Sequence, residues 1–135
     1  DVTYNQSLQA FQKALDLDPD DAEAWRGRAR AHLGLGEQDE AKTALDRAIE
    51  IDPRSAQAWL DRGILLLEMG RAEEAIGALD RALAIQPDNL GALSTKAEAL
   101  TILGRYQEAE AAFDQAMDMN SGRYETGDRD VDWIL

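Results

Sequence analysis

An all-α fold, built from antiparallel helix pairs repeated along the chain, is predicted by three observations. Pro19, Pro53 and Pro87 stand 34 residues apart, and so do Gly36, Gly70 and Gly104. The central stretch Ala56–Asn89 has a close copy before it, Ala22–Ser55, and a looser copy after it, Leu90–Arg123. The links between the predicted helices are short, which makes successive helices antiparallel neighbours. A single unit of this kind cannot bury its apolar stripe alone, so stacking supplies the core, and the chain is expected to work as a binding scaffold.

The elements follow in order. Thr3–Leu17 is predicted as a helix because Leu8, Phe11, Ala14 and Leu15 recur at helical spacing. Aligned on the period, it is the second helix of a partial repeat covering residues 1–21. Pro19 cannot continue a helix and pushes Asp18 away from helical dihedrals. Asp20 or Asp21 can then cap the next helix. Helices are expected over Ala22–Leu35 and Gln38–Ile51, over Ser55–Met69 and Ala72–Ile85, and over Asn89–Leu103 and Tyr106–Met119. Gly36, Gly70 and Gly104 fall where left-handed caps belong. Asn120–Arg129 is polar and contains glycine, and is read as a loop. Asp130–Leu135 holds Val131, Trp133, Ile134 and Leu135, an apolar cluster that looks like the start of another first helix. The whole of 1–135 is one repeat domain, with 124–135 as its tail.

Composition narrows the function. No apolar run approaches the roughly 18 residues of a membrane span, so membrane insertion is not expected. The net charge is −13, from 27 acidic and 14 basic residues, which disfavours nucleic acid and anionic membrane. Arg outnumbers Lys 11 to 3 and Asp outnumbers Glu 16 to 11, read as compositional bias with a solvated acidic face rather than adaptation to a saline cytoplasm. There is no cysteine, hence no disulfide and no thiolate metal site. Without an initiator Met, the chain is expected to begin inside a longer protein or after a processing site. Cytoplasmic placement is only a default.

The repeat resembles the tetratricopeptide repeat, whose pattern places Trp, Leu-Gly, Tyr, Ala, Phe and Pro at set offsets in about 34 residues. The Trp slot holds Trp25, Trp59 and Leu93. The Gly slot holds Ala29, Gly63 and Ala97, and the Tyr slot His32, Leu66 and Leu100. The Ala slots hold Ala41, Ala75 and Ala109, then Ala48, Ala82 and Ala116. The Phe slot holds Leu45, Leu79 and Phe113, and the final slot Pro53, Pro87 and then Ser121, where the pattern fails. Arg28, Arg62 and Lys96 stand where the family has Leu. The resemblance implies a right-handed superhelical solenoid and a non-enzymatic role in protein–protein interaction, with no cofactor and no metal. Trp25 and Trp59 are expected to be buried between helices of adjacent units.

The resemblance also implies a concave groove, lined by the first helices, that takes an extended peptide or a helix. By position it comprises Glu23, Arg26, Gly27, Arg30, Leu33 and Gly34, then Gln57, Leu60, Asp61, Ile64, Leu67 and Glu68. The third repeat adds Gly91, Ser94, Thr95, Glu98, Thr101 and Ile102. These sets are spaced i, i+3, i+4 and i+7 and avoid the packing stripe. Leu60, Ile64 and Leu67 form its apolar middle, and an exposed apolar stripe marks a contact site. Some family members grip a C-terminal carboxylate with Lys, Asn, Asn, Lys and Arg. Here those places hold Arg26, Arg30, Asp61, Gly91 and Thr95, and only the first can substitute.

Other motifs are weak. His32 is the only histidine, which leaves little room for Ser-His or Cys-His catalysis. Asp16, Asp18 and Asp20, and again Asp128, Asp130 and Asp132, imitate the start of a calcium loop but lack its later Gly and Glu. Asn5-Gln6-Ser7 is a glycosylation triplet by spelling only. A self-assembly module is the competing expectation. Leu8, Phe11 and Leu15 have no first helix of their own, and the tail cluster Val131, Trp133, Ile134 and Leu135 has no second helix. Contact between these ends in two copies would give a head-to-tail homo-oligomer.

Overall fold

Proline and glycine punctuate the backbone at the predicted period. In the computed structural model, which describes residues 2–132 and side chains through residue 120, the elements are all helical. They are α1 (Val2–Leu17), α2 (Ala22–Gly34), α3 (Gln38–Ile51), α4 (Ala56–Glu68), α5 (Ala72–Ile85), α6 (Leu90–Ile102) and α7 (Tyr106–Asp132). Each first helix opens on the same device. Asp21, Ser55 and Asn89 take extended dihedrals, and their side chains accept from the backbone N–H of Ala24, Ala58 and Ala92. This satisfies one of the free donors at each N-terminus. Each first helix closes on a glycine with φ of 78°, 79° or 78°. The N–H of the next residue (Glu37, Arg71 or Arg105) reaches back to the carbonyl of His32, Leu66 or Leu100. That is a Schellman closure, which favours glycine because no Cβ opposes positive φ.

Within each repeat the two helices pair (α2 with α3, α4 with α5, α6 with α7), and each second helix also packs on the first helix that follows. Leu45, Leu65, Leu79 and Leu100 are fully buried at these seams. Each is worth about 1.5–3 kcal/mol of burial. Gly63 makes room for one of them, since a Cβ there would come within 2.7 Å of Leu79. A polar ladder runs alongside. Arg28 donates to Gln12, Arg62 lies against Asp46, and Lys96 lies against Asp80, each pair joining a first helix to the second helix before it.

Three expectations are corrected. The loop expected over 120–129 is helix, because α7 runs on to Asp132. Ser121 stands where Pro53 and Pro87 follow α3 and α5, so no proline interrupts the backbone ladder there. The stripe on α1 is not uncovered. Leu15 is buried and Leu8 and Phe11 are half-buried, because α1 packs on α2. The Phe11 ring fills the place a Cβ at Gly27 would take, and Tyr4 does the same at Gly34. Trp25 and Trp59 are half-buried rather than sealed between units. Their indole N–H groups donate to the carbonyls of Pro19 and Pro53 at 2.8 and 2.9 Å, which holds the rings at the edge of their repeats. Trp133, Ile134 and Leu135 lie outside the described residues, and so does the side chain of Val131.

Candidate functional site

The first helices stand side by side, and their shared face carries the predicted groove residues. Its N-terminal part is a charge cluster. Asp61 of α4 is only 8% exposed, and two arginines of α2 converge on it. Arg26 Nε lies 3.0 Å and Arg30 Nε 3.6 Å from the same Asp61 Oδ2. Gln57 Nε2 donates to the other oxygen at 3.4 Å. Glu23 holds the far side of Arg26 at 2.9 Å. Burial pushes the Asp61 carboxyl above its ordinary range, and the attraction of Arg30 and Arg26 and the Gln57 bond offset only part of that. The sequence set Arg26, Arg30 and Asp61 on one face without showing that they meet. Asp61 and Glu23 together occupy Arg26, whereas Arg30 keeps half its side chain in solvent.

The apolar middle differs from expectation. Leu60 is buried, 7% exposed, among Leu79, Ala82 and Ala92. It lies against Gly91 of α6, whose missing side chain lets the two first helices approach. Leu60 therefore belongs to the seam between repeats and not to an open groove. Leu67 is half-buried against Ala72, Ile76 and Leu100, and Leu33 against Ala29, Leu45 and Leu65. Ile64 is the one member of the central triad with substantial exposure, at 36%. Farther on, Ser94, Glu98, Thr101 and Ile102 are exposed, and Thr95 turns its hydroxyl to the Gly91 carbonyl at 2.7 Å. The face thus runs from arginine through isoleucine to a polar and acidic end.

The remaining candidates have local roles. His32 is buried, with Nδ1 3.6 Å from a Glu37 carboxylate oxygen. Asp18 accepts from the N–H of Asp20 in the turn. Among the described residues no helix is long and apolar enough to cross a membrane.

Comparisons with known proteins agree with this architecture. One tetratricopeptide repeat model matches residues 4–56 and 29–89, and a second matches 66–125. A comparison with curated protein sequences gives no match. Among solved structures, a crystal structure of MamA is 26% identical with a TM-score of 0.85, covering 90% of this chain and 71% of its own. A second MamA crystal structure is 26% identical with a TM-score of 0.83, covering 92% and 68%. A MamA double mutant shares the fold at 18% identity, with a TM-score of 0.82 and coverage of 90% and 68%. With repeat models matching from residue 4 to residue 125, the chain belongs to the tetratricopeptide repeat family.

Proposed function

We propose that this chain is a non-enzymatic protein-interaction scaffold that lays an extended peptide or a helix across α2, α4 and α6. The observation that carries the reading is Arg30. Its guanidinium is anchored toward buried Asp61 yet stays half in solvent, and exposed Ile64 follows Asp61 by about one turn on α4. An acidic residue of the partner would meet Arg30, and an apolar one would cover Ile64. Glu98 and Ser94 would take polar or basic groups beyond. Family membership supports interaction scaffolding in general, and the buried, solitary His32 favours packing over catalysis. The test is capture of a partner by the parent chain and by a variant carrying Arg30→Glu, Ile64→Ser and Leu67→Ser. Loss of the partner with helicity retained supports the groove, whereas unchanged capture overturns it.

A second reading, self-assembly through the ends, is favoured by one observation. Phe113 is 42% exposed and Met117 65%, while Leu45 and Leu79 in the Phe slot are fully buried. The first helix of the next repeat packs on those leucines through Leu65 and Ala92. A second copy stacking on α7 would cover Phe113 in the same way. Light scattering across concentration, with Phe113→Ser and Met117→Ser as control, separates this from the groove reading. A mass that rises with concentration in the parent alone supports stacking.

A further inference from the structure

Each repeat carries a cleft between its first and second helix, on a different side of the first helix from the groove residues. The three clefts are related by the 34-residue period, so each serves as a reference for the others. The first, beside Trp25, measures about 260 Å³ and sets Arg28 against Asp39 and Glu40. The third, beside Leu93, measures about 410 Å³ and sets Lys96 against Glu108. The middle cleft, about 500 Å³, differs in kind. Lys42, Arg62, Arg71 and Arg81 line it together with the half-buried Trp59, and Glu74 is the one acid in the lining. The slot that holds Thr43 in the first repeat and Ala111 in the third holds Gly77 here, and a Cβ at Gly77 would meet nothing within 4 Å.

The charges in this cleft are only partly spent. Lys42 and Arg62 share Asp46, at 3.0 and 2.6 Å. Arg71 has Glu74 at 3.7 Å, and both are half or more exposed. Arg81 makes no ion pair among the described residues and stacks over Trp59 at 5.6 Å. Arg62 stands 6.0 Å from the same ring. Four cations against Asp46 and Glu74 leave an excess of two positive charges, on a chain whose net charge is −13. A local field opposite to that of the whole molecule attracts a short acidic segment into the cleft. The same overall charge repels a long polyanion such as nucleic acid. The indole supplies an apolar wall, and guanidinium groups give paired donors suited to carboxylates.

We infer that the cleft of the middle repeat, bounded by Trp59, Arg71, Gly77 and Arg81, is a second binding site that takes an acidic peptide segment. It is separate from the groove of the first helices, so the two readings fail independently.

The experiment measures fluorescence anisotropy of a short fluorescein-labelled peptide alternating Glu and Gly, with a Lys–Gly peptide as control, on the full chain at low salt. The acidic peptide should bind and the basic one should not. Arg81→Glu removes the unpaired cation without breaking an ion pair. Gly77→Leu fills the cleft without changing charge and improves helix propensity. Each should weaken the acidic peptide by about tenfold or more, with the thermal midpoint of Gly77→Leu no lower than the parent's. Lys13→Glu, the same reversal of charge at an exposed site on α1, should leave the affinity within about twofold. No binding by the parent, full binding by Gly77→Leu, or an equal loss with Lys13→Glu would each overturn the proposal.

Discussion

Arg62 of α4 lies 2.6 Å from Asp46 of α3, and the two residues are 16 apart in sequence. Lys96 and Asp80 repeat the relation at 2.7 Å, and Arg28 repeats it by donating to the uncharged amide oxygen of Gln12 at 2.6 Å. One basic slot on each first helix thus meets one acceptor slot on the second helix before it. Both partners are partly solvated, so the coupling is modest. A double-mutant cycle of Asp46→Ala and Arg62→Ala should give about 0.5–1 kcal/mol, shrinking with added salt. A coupling of zero at low salt would show that the ladder sets register without contributing stability.

Leu60 and Ile64 sit one helical turn apart on α4, yet they should respond differently to the same change. Leu60→Ser places a hydroxyl among Leu79, Ala82 and Ala92 and should cost about 3 kcal/mol. Ile64→Ser, at a site 36% exposed, should cost about 1 kcal/mol or less. Urea denaturation of both variants checks the ordering, and equal losses would move Leu60 out of the seam between α4 and α6.

The periodic residues made most of the fold legible. Proline, glycine and the capping residues recur at one spacing, and they place the helix ends of α2 to α6 within a residue or two of those observed. The site was less legible. Periodicity puts Leu60 on the free face of α4, but it carries no information on how closely α6 approaches. That distance is set by Gly91, which lacks the side chain that would hold Leu60 away. The ladder had a signal in the sequence, since Arg28, Arg62 and Lys96 replace the family's leucine and Gln12, Asp46 and Asp80 share one slot. Neither set names its partner without the stacking geometry. The extension of α7 was missed because glycine and polar residues imitate a loop wherever no proline enforces one.

The contact of Phe11 with Gly27 docks the first helix. Gly27→Leu should expel the ring and free α1 while leaving the rest of the stack intact. Amide hydrogen exchange in α1 should accelerate, with protection in α4 and α5 retained. If α1 stays as protected as in the parent, the docking depends on Leu15 and Tyr4 instead.

Asp61 should make stability depend on pH in an identifiable direction. Burial raises its pKa above 3.8, so the folded chain holds that proton more tightly than the unfolded chain. Its contribution is fully present below pH 3.8 and is lost as pH rises through the folded-state value. The Tm difference between the parent and Asp61→Asn should therefore move in the parent's favour as pH falls from neutrality towards 3.8. A difference that stays constant over that range would mean that Arg26 and Arg30 fully offset the burial of the carboxylate.

The central claim is that the shared face of the first helices is where partners bind, and site-specific photo-crosslinking tests it most directly. A photoreactive residue is placed at Ile64 or Ser94 on that face, and in parallel at Glu50 or Glu110 on the second helices, all in chains of matched helicity. The groove account predicts that Ile64 and Ser94 capture the same protein and that the Arg30→Glu change suppresses both crosslinks. Capture only from Glu50 or Glu110, or capture from Ile64 that is indifferent to Arg30→Glu, would contradict it.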